Sequence, residues 1–268
     1  MTTAHRLLLF ISSVILSLSA HSKDEVILKF GVVPQQAATQ LIEKWGPLVK
    51  KITEGCECKI EFATAPDIPQ FESRVQKGEY DLVYLNPMHF VQAIPVGYSA
   101  LVKEQGRMLK GIIVVKKDSA IQKISELAGK KIVFPGATSF AATVLVQKLF
   151  ESEKIKIEPV FVKSHDSVYL NVLTDLAPAG GGVNRTYEAL PESDKAKLRI
   201  LAETQTVTPH PIAVHSRVSK KTSDLILKVL TSLSGSEEGK KIMENLELKP
   251  LVSAKNSDWD DVKKLLNK

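Results

Sequence analysis

Short, β-branched apolar runs alternate with stretches of helical period along nearly the whole chain, and that alternation leaves few architectures open. Residues 26–33 read as a buried first strand, and residues 37–52 as a helix with Leu41, Trp45, Leu48, Val49 and Ile52 on one face. A second strand at 59–65, a short helix at 68–77 and a third strand at 80–85 follow, and Asn86-Pro87 opens the next helix with proline in its first turn. After the apolar strand GIIVVK at 111–116 the pattern starts afresh, with strands at 131–134, 157–162 and 181–183 and helices at 139–152 and 165–173. Residues 198–202 and 212–215 read as return strands, and 220–233, 237–245 and 259–266 as helices. The pattern predicts an α/β protein of two lobes, the first interrupted by the second. Lobe one is expected over 23–111 plus 212–268 and lobe two over 112–211, with crossovers within 111–116 and 210–215.

The composition supports a packed core: of 268 residues 44% are hydrophobic and 25% charged, with only 2 Cys. Disordered, collagen-like and disulfide-stapled classes are excluded. The formal charge of +6 is spread along the chain with no dense basic block interleaved with aromatics, which argues against a nucleic-acid partner. The apolar run at residues 7–18 falls well short of the roughly 20 residues that span a bilayer. His5 and Arg6 before it, and Ser17-Leu18-Ser19-Ala20-His21-Ser22 at its end, make residues 1–22 a cleavable secretory signal, which places the mature chain in the periplasm. Cys56 and Cys58 are read at the start of the second strand, where side chains two apart share a face but their Cα atoms sit near the upper limit for a bridge. A tight disulfide and an unbridged pair both remain open there, whereas no ligand spacing supports a metal site.

Ligands of open parallel sheets lie beyond the carboxyl ends of strands, so the loops there carry the functional reading. Four are small and polar and precede helices: Pro34-Gln35-Gln36, Asn86-Pro87, Gly136-Ala137-Thr138-Ser139 and Lys163-Ser164-His165-Asp166. Helix N-termini with hydroxyl donors suit an anion, although Thr138, Ser139 and Asp166 would serve equally as helix caps. Tyr84 offers a phenol at the end of the third strand. Gly180-Gly181-Gly182 lacks nucleotide-loop spacing and marks close backbone approach or a hinge. Asn184 and Arg185 follow it, the latter either an anion clamp or a solvent-facing side chain. No nucleophile elbow, zinc motif or metal loop is present in the sequence, so no catalytic residue, metal or cofactor is expected and the chain reads as a binder rather than an enzyme.

These residues resemble a known family, the PhnD-like periplasmic solute-binding components of phosphonate, phosphite and phosphate ABC importers, with a type II binding-protein fold. The resemblance runs in order through LKFGVVP (28–34), YDLVYLNPMHFVQA (80–93), GIIVVKKDSAIQKISELAGKKIVF (111–134), PGATSFAATVLVQKLF (135–150), VKSHDSVYLNVL (162–173), AGGGVNRTYEAL (179–190) and TPHPIAVHSRVS (208–219). It implies a small tetrahedral oxyanion held between the lobes by Tyr84, Thr138, Ser139 and His165, beside Gln35, Asn86, Asn184 and Arg185. It further implies a monomer that delivers its ligand to a membrane permease. An extracytoplasmic sensor feeding a membrane histidine kinase is the alternative use of the same cleft. Relatives that bind aminoalkylphosphonates neutralise the ammonium with carboxylates, where this chain has Asn184-Arg185. That departure argues against an amino-bearing ligand.

Overall fold

The computed structural model describes residues 26–266. The expected signal segment, residues 1–22, lies outside the described residues. Eleven strands are present among the described residues: β1 (Ile27–Val32), β2 (Lys59–Ala63), β3 (Leu82–Tyr84), β4 (Tyr98–Glu104), β5 (Gly111–Lys116), β6 (Lys131–Phe134), β7 (Glu158–Phe161), β8 (Ala179–Val183), β9 (Leu198–Glu203), β10 (Ile212–His215) and β11 (Leu251–Ser253). They form two sheets, one ordered β11-β4-β10-β3-β1-β2 and the other β7-β6-β8-β5-β9. In the first, β1 runs parallel to β2 and β3. In the second, β6 runs parallel to β7 and β8.

Each sheet also takes a strand from the chain's passage between lobes. The chain leaves the first sheet at residues 105–110 and returns at 204–211, just ahead of the expected crossovers, so β5 and β10 each lie wholly in one sheet. Both run antiparallel to their neighbours, β10 between β3 and β4 and β5 between β8 and β9. A strand that enters from the other lobe needs no helical crossover, so it is free to pair in either sense. Strands β4 and β11 are absent from the sequence-based reading. In β4 the apolar rhythm is broken by Lys103 and Glu104, yet Glu104 is buried, its carboxylate accepting from the Lys249 backbone N–H at 2.9 Å.

The apolar run of β5 is buried on both faces, as its unbroken sequence demands. Ile112 and Val114 pack with Val133, Val168 and Tyr169, while Ile113 and Val115 pack with Phe134, Val146 and Phe150 on the other side. The helices that position the site are α1 (Ala38–Cys56), α2 (Ile68–Gln76), α3 (Pro87–Ala93), α4 (Val146–Ser152), α5 (His165–Leu173) and α6 (Asn184–Glu188), with a π-helical turn at Phe140–Leu145 leading into α4. Phe140, Ala141 and Leu145 of that turn join the apolar core of the first sheet, so the two lobes pack directly on one another. Among the described residues no helix is long and apolar enough to cross a membrane.

Cys56 and Cys58 are disulfide-bonded, with Cα atoms 5.2 Å apart. The strand-face geometry expected for them is corrected: Cys56 ends α1, and Glu57 at φ 55° turns the chain back before β2 begins. So small a loop withdraws little entropy from the unfolded chain. Replacing both cysteines by alanine is therefore expected to cost roughly 1.5 kcal/mol or less, measured by denaturant unfolding of the oxidised parent and the variant.

Candidate functional site

The carboxyl ends of β1, β3, β6, β7 and β8 converge on the seam between the lobes, and the eight residues expected around the ligand lie at it. Gln35 follows β1, Tyr84 ends β3, and Asn86 is the N-cap of α3. Thr138 and Ser139 follow β6, His165 opens α5, and Asn184 and Arg185 open α6. Gln35, Tyr84, Asn86, Ser139 and His165 are buried. His210, just ahead of β10, is buried with them, its ring stacked on Tyr84 at 5.2 Å.

Hydrogen bonds cross the seam at these residues. The His165 backbone N–H donates to the Gln35 carbonyl at 3.0 Å, and the Ala37 N–H donates to the Asp166 carboxylate at 3.2 Å. Asn86 Nδ2 donates to the Thr138 carbonyl at 3.3 Å, and Arg185 donates to Gln35 Oε1 at 2.5 Å. These contacts amend the reading of open helix N-termini. At α5 the His165 N–H is taken by Gln35 and the Ser167 N–H by the capping Ser164 hydroxyl. Asn86 is a cap, its Oδ1 accepting from the His89 N–H at 2.9 Å. Ser139 occupies the cap position of the π-helical turn without making a side-chain cap bond. Arg185 does not face open solvent, since its guanidinium lies 4.9 Å from the centre of the Tyr84 ring.

Four of the eight residues carry a buried polar atom with no hydrogen-bond partner: Tyr84 OH, Thr138 Oγ1, His165 Nε2 and Asn184 Oδ1. His89 Nε2 is in the same condition, 3.4 Å from Glu72 Oε2 without hydrogen-bond alignment. An unsatisfied buried polar group costs about 1–3 kcal/mol, and native structures hold few. Their gathering along one seam marks a place built to meet a polar partner.

The electrostatics come from neutral donors and from Arg185, with Arg107 also acting on Tyr84. Burial pushes His89 and His165 down to about 3, with Arg185 lowering His165 further, and holds His210 well below the usual imidazole range. Burial likewise raises the Tyr84 phenol. The three histidines are therefore uncharged near neutral pH, and Arg185 is the positive charge that acts on His165 and His210. Burial also raises the Glu72 carboxyl beside Thr138. With the lobes together, the space between Gln35, Asn86, Ser139 and His210 is about 10 Å³. A cavity of about 360 Å³ adjoins it, sharing Val183 and His210 and reaching Asn184 and Arg185. A ligand thus has room beside Arg185, and deeper seating requires the lobes to part. Among the described residues no group of His, Cys, Asp or Glu is arranged to hold a metal ion.

His89, His210 and Thr186 were not picked out from the sequence. His210 carried a signal, a lone imidazole between two prolines in TPHP immediately before a strand. His89 sits in the first turn of α3 and Thr186 inside α6, where nothing local distinguishes them from ordinary buried polar residues.

Two α/β lobes closed over a buried polar seam define a binding protein of the type II periplasmic fold. The match to the family model described as "ABC transporter, phosphonate, periplasmic substrate-binding protein" spans residues 30–259. This chain belongs to that family, whose members are substrate-binding proteins and not enzymes. The phosphate-import protein PhnD of Mycolicibacterium smegmatis is 25% identical over 176 residues, covering 57% of this chain and 54% of the relative. The chain therefore matches about half the length of that relative. A binding protein component of an ABC phosphonate transporter from Pseudomonas aeruginosa superposes with a TM-score of 0.83 at 13% identity, over 91% of this chain and 86% of the other. PhnD1 of Prochlorococcus marinus, solved in complex with methylphosphonate, superposes with a TM-score of 0.81 at 15% identity, over 90% and 98%. At those identities the likeness is one of fold.

Proposed function

We propose that this protein captures a small tetrahedral oxyanion of the phosphonate, phosphite or phosphate type in the periplasm and, as a monomer, delivers it to the membrane permease of an ABC importer. The observation that carries the reading is the set of unpartnered buried atoms on Tyr84, Thr138, His165 and Asn184, beside Arg185, at the seam of the two lobes. An oxyanion presents several acceptor oxygens to such hydroxyl donors, and Arg185 balances charge. The curated relative named for phosphate import and the fold neighbour solved with methylphosphonate support the same ligand class. A thermal-shift screen of phosphate, phosphite, methylphosphonate, 2-aminoethylphosphonate, sulfate and selenate tests it. Stabilisation by a phosphorus oxyanion is expected, and silence from all six ends the proposal.

Fixed hydroxyl donors, more than net charge, set the affinity. A hydrogen bond to a charged group contributes about 1.5–3 kcal/mol. Thr138→Ala and Ser139→Ala are each expected to weaken binding about ten- to a hundredfold by titration calorimetry. Lys220→Ala, on an exposed helix far from the seam, should leave affinity unchanged. Unaltered affinity in both alanine variants would place the ligand elsewhere.

A further inference from the structure

Thr186, inside α6, is buried and joins three groups at once. Its Oγ1 lies 2.8 Å from the Tyr169 hydroxyl, 3.1 Å from the Val183 carbonyl and 3.2 Å from His165 Nδ1. At the other nitrogen of the same ring, His165 Nε2 is buried without a partner. A neutral imidazole carries one N–H, and a threonine hydroxyl has one proton and two lone pairs. With the imidazole proton on Nδ1, three hydrogen bonds close together: Tyr169 and Nδ1–H both donate to Thr186 Oγ1, and Thr186 donates to the Val183 carbonyl. With the proton on Nε2, Thr186 must turn its hydroxyl to Nδ1, and its bond to Val183 is lost. The first arrangement satisfies more buried groups.

Building on the oxyanion-capture reading, we infer that Thr186 is a positioning residue that keeps the His165 proton on Nδ1, so that Nε2 meets the ligand as an acceptor. The site then selects an oxyanion that still carries an acidic P–OH. That hydroxyl donates to Nε2, while the remaining oxygens take the hydroxyl donors and Arg185. Monoprotonated phosphonate and phosphate offer such a proton near neutral pH. Sulfate, sulfonates and the phosphonate dianion do not, and each sets a negative oxygen against the imidazole lone pair. Asn184 Oδ1, a second unpartnered acceptor at the same seam, points the same way.

The groups that face His165 are Arg185 on α6 and His210 ahead of β10, with His89 of α3 acting on His210, and Asp166 and Tyr169 on α5 itself. Burial keeps the histidines neutral and raises both Asp166 and Tyr169. Methanesulfonate, which has no second ionisation, serves as the control for any titration of these protein groups.

Two measurements on the full protein decide the matter. Nitrogen-15 NMR of the ligand-free protein should show His165 Nε2 unprotonated. Calorimetry below and above the second ionisation of methylphosphonate should show its affinity falling at least about tenfold as the last proton leaves, with the methanesulfonate affinity unmoved. Thr186→Val, checked for folding by its melting curve, should shrink that fall to under about threefold and relax the nitrogen signature, and Thr186→Ser should restore both. A protonated Nε2 in the free parent, or a dianion bound as tightly as the monoanion, overturns the inference while leaving oxyanion capture standing. Failure of methylphosphonate to bind at both pH values removes the capture reading and the P–OH selection with it, and the nitrogen spectrum still decides the tautomer.

Discussion

2-Aminoethylphosphonate is expected to bind at least about a hundredfold more weakly than methylphosphonate. The reason lies in Asn184 and Arg185, which open α6 at the end of β8 and line the cavity of about 360 Å³ beside the seam. An aminoalkyl arm extending into that cavity brings its ammonium toward the Arg185 guanidinium. That guanidinium is held in place by Gln35 Oε1 and the Tyr84 ring. The Asn184 amide provides a carbonyl dipole but no neutralising charge, and the two carboxylates that line the cavity, Glu104 and Glu188, are already paired with Arg107. Removing an unpaired cation from water costs several kcal/mol, more than one hydrogen bond returns. Asn184→Asp should narrow the gap by supplying the carboxylate, at some loss of affinity for the compact anion. Calorimetry on both ligands and both proteins checks this, and tighter binding of the amino compound by the parent would refute it.

The other large effect falls on stability. Gly180, Gly181 and Gly182 form the middle of β8, buried between β6 and β5, and the geometry rules out a hinge there. They are instead places where other groups approach the backbone. A Cβ on Gly181 would stand 2.2 Å from the Ala142 carbonyl oxygen and 2.5 Å from the Phe134 ring. On Gly182 it would meet the Tyr169 hydroxyl at 2.5 Å. A carbonyl inside the π-helical turn cannot swing aside as a flexible side chain can. Gly181→Ala should therefore cost about 3 kcal/mol, at the upper end of overpacking effects, and lower the melting temperature by about 6–12 °C. Gly46→Ala is the natural contrast. That position lies inside α1 with nothing within 4 Å of an added methyl, so the substitution should raise stability by up to about 1 kcal/mol. Equal melting temperatures for the Gly181 variant and the parent would show that the turn yields more readily than its packing indicates.

Much of the scaffold was legible because burial leaves a periodic mark on local sequence. The unbroken GIIVVK run announced a strand covered on both faces, and β6, β10 and α5 fall at the residues their periodicity indicates. The loops that bear Gln35, Tyr84, Thr138, His165 and Arg185 were legible from a different cue, small polar residues where strands hand over to helices. β4 was hidden because a buried carboxylate, Glu104, interrupts its apolar rhythm, and the satisfaction of that carboxylate comes from Lys249, 145 residues away.

By itself, then, the sequence determined the run of elements, the renewal of the pattern after residue 111 and the polar character of the loops at the strand ends, since each depends on neighbours along the chain. Tertiary structure alone decided which of those loops touch. Gln35 and Arg185 are 150 positions apart and meet only where the two lobes pack on one another. The same packing carries His89 and His210 into the seam and commits the first amide of α5 to Gln35. It also sets Thr186 against His165 Nδ1. Hydrogen bonding at such distances follows from the three-dimensional closeness of groups that share no local pattern, which is why the donors were readable from the sequence and their partners were not.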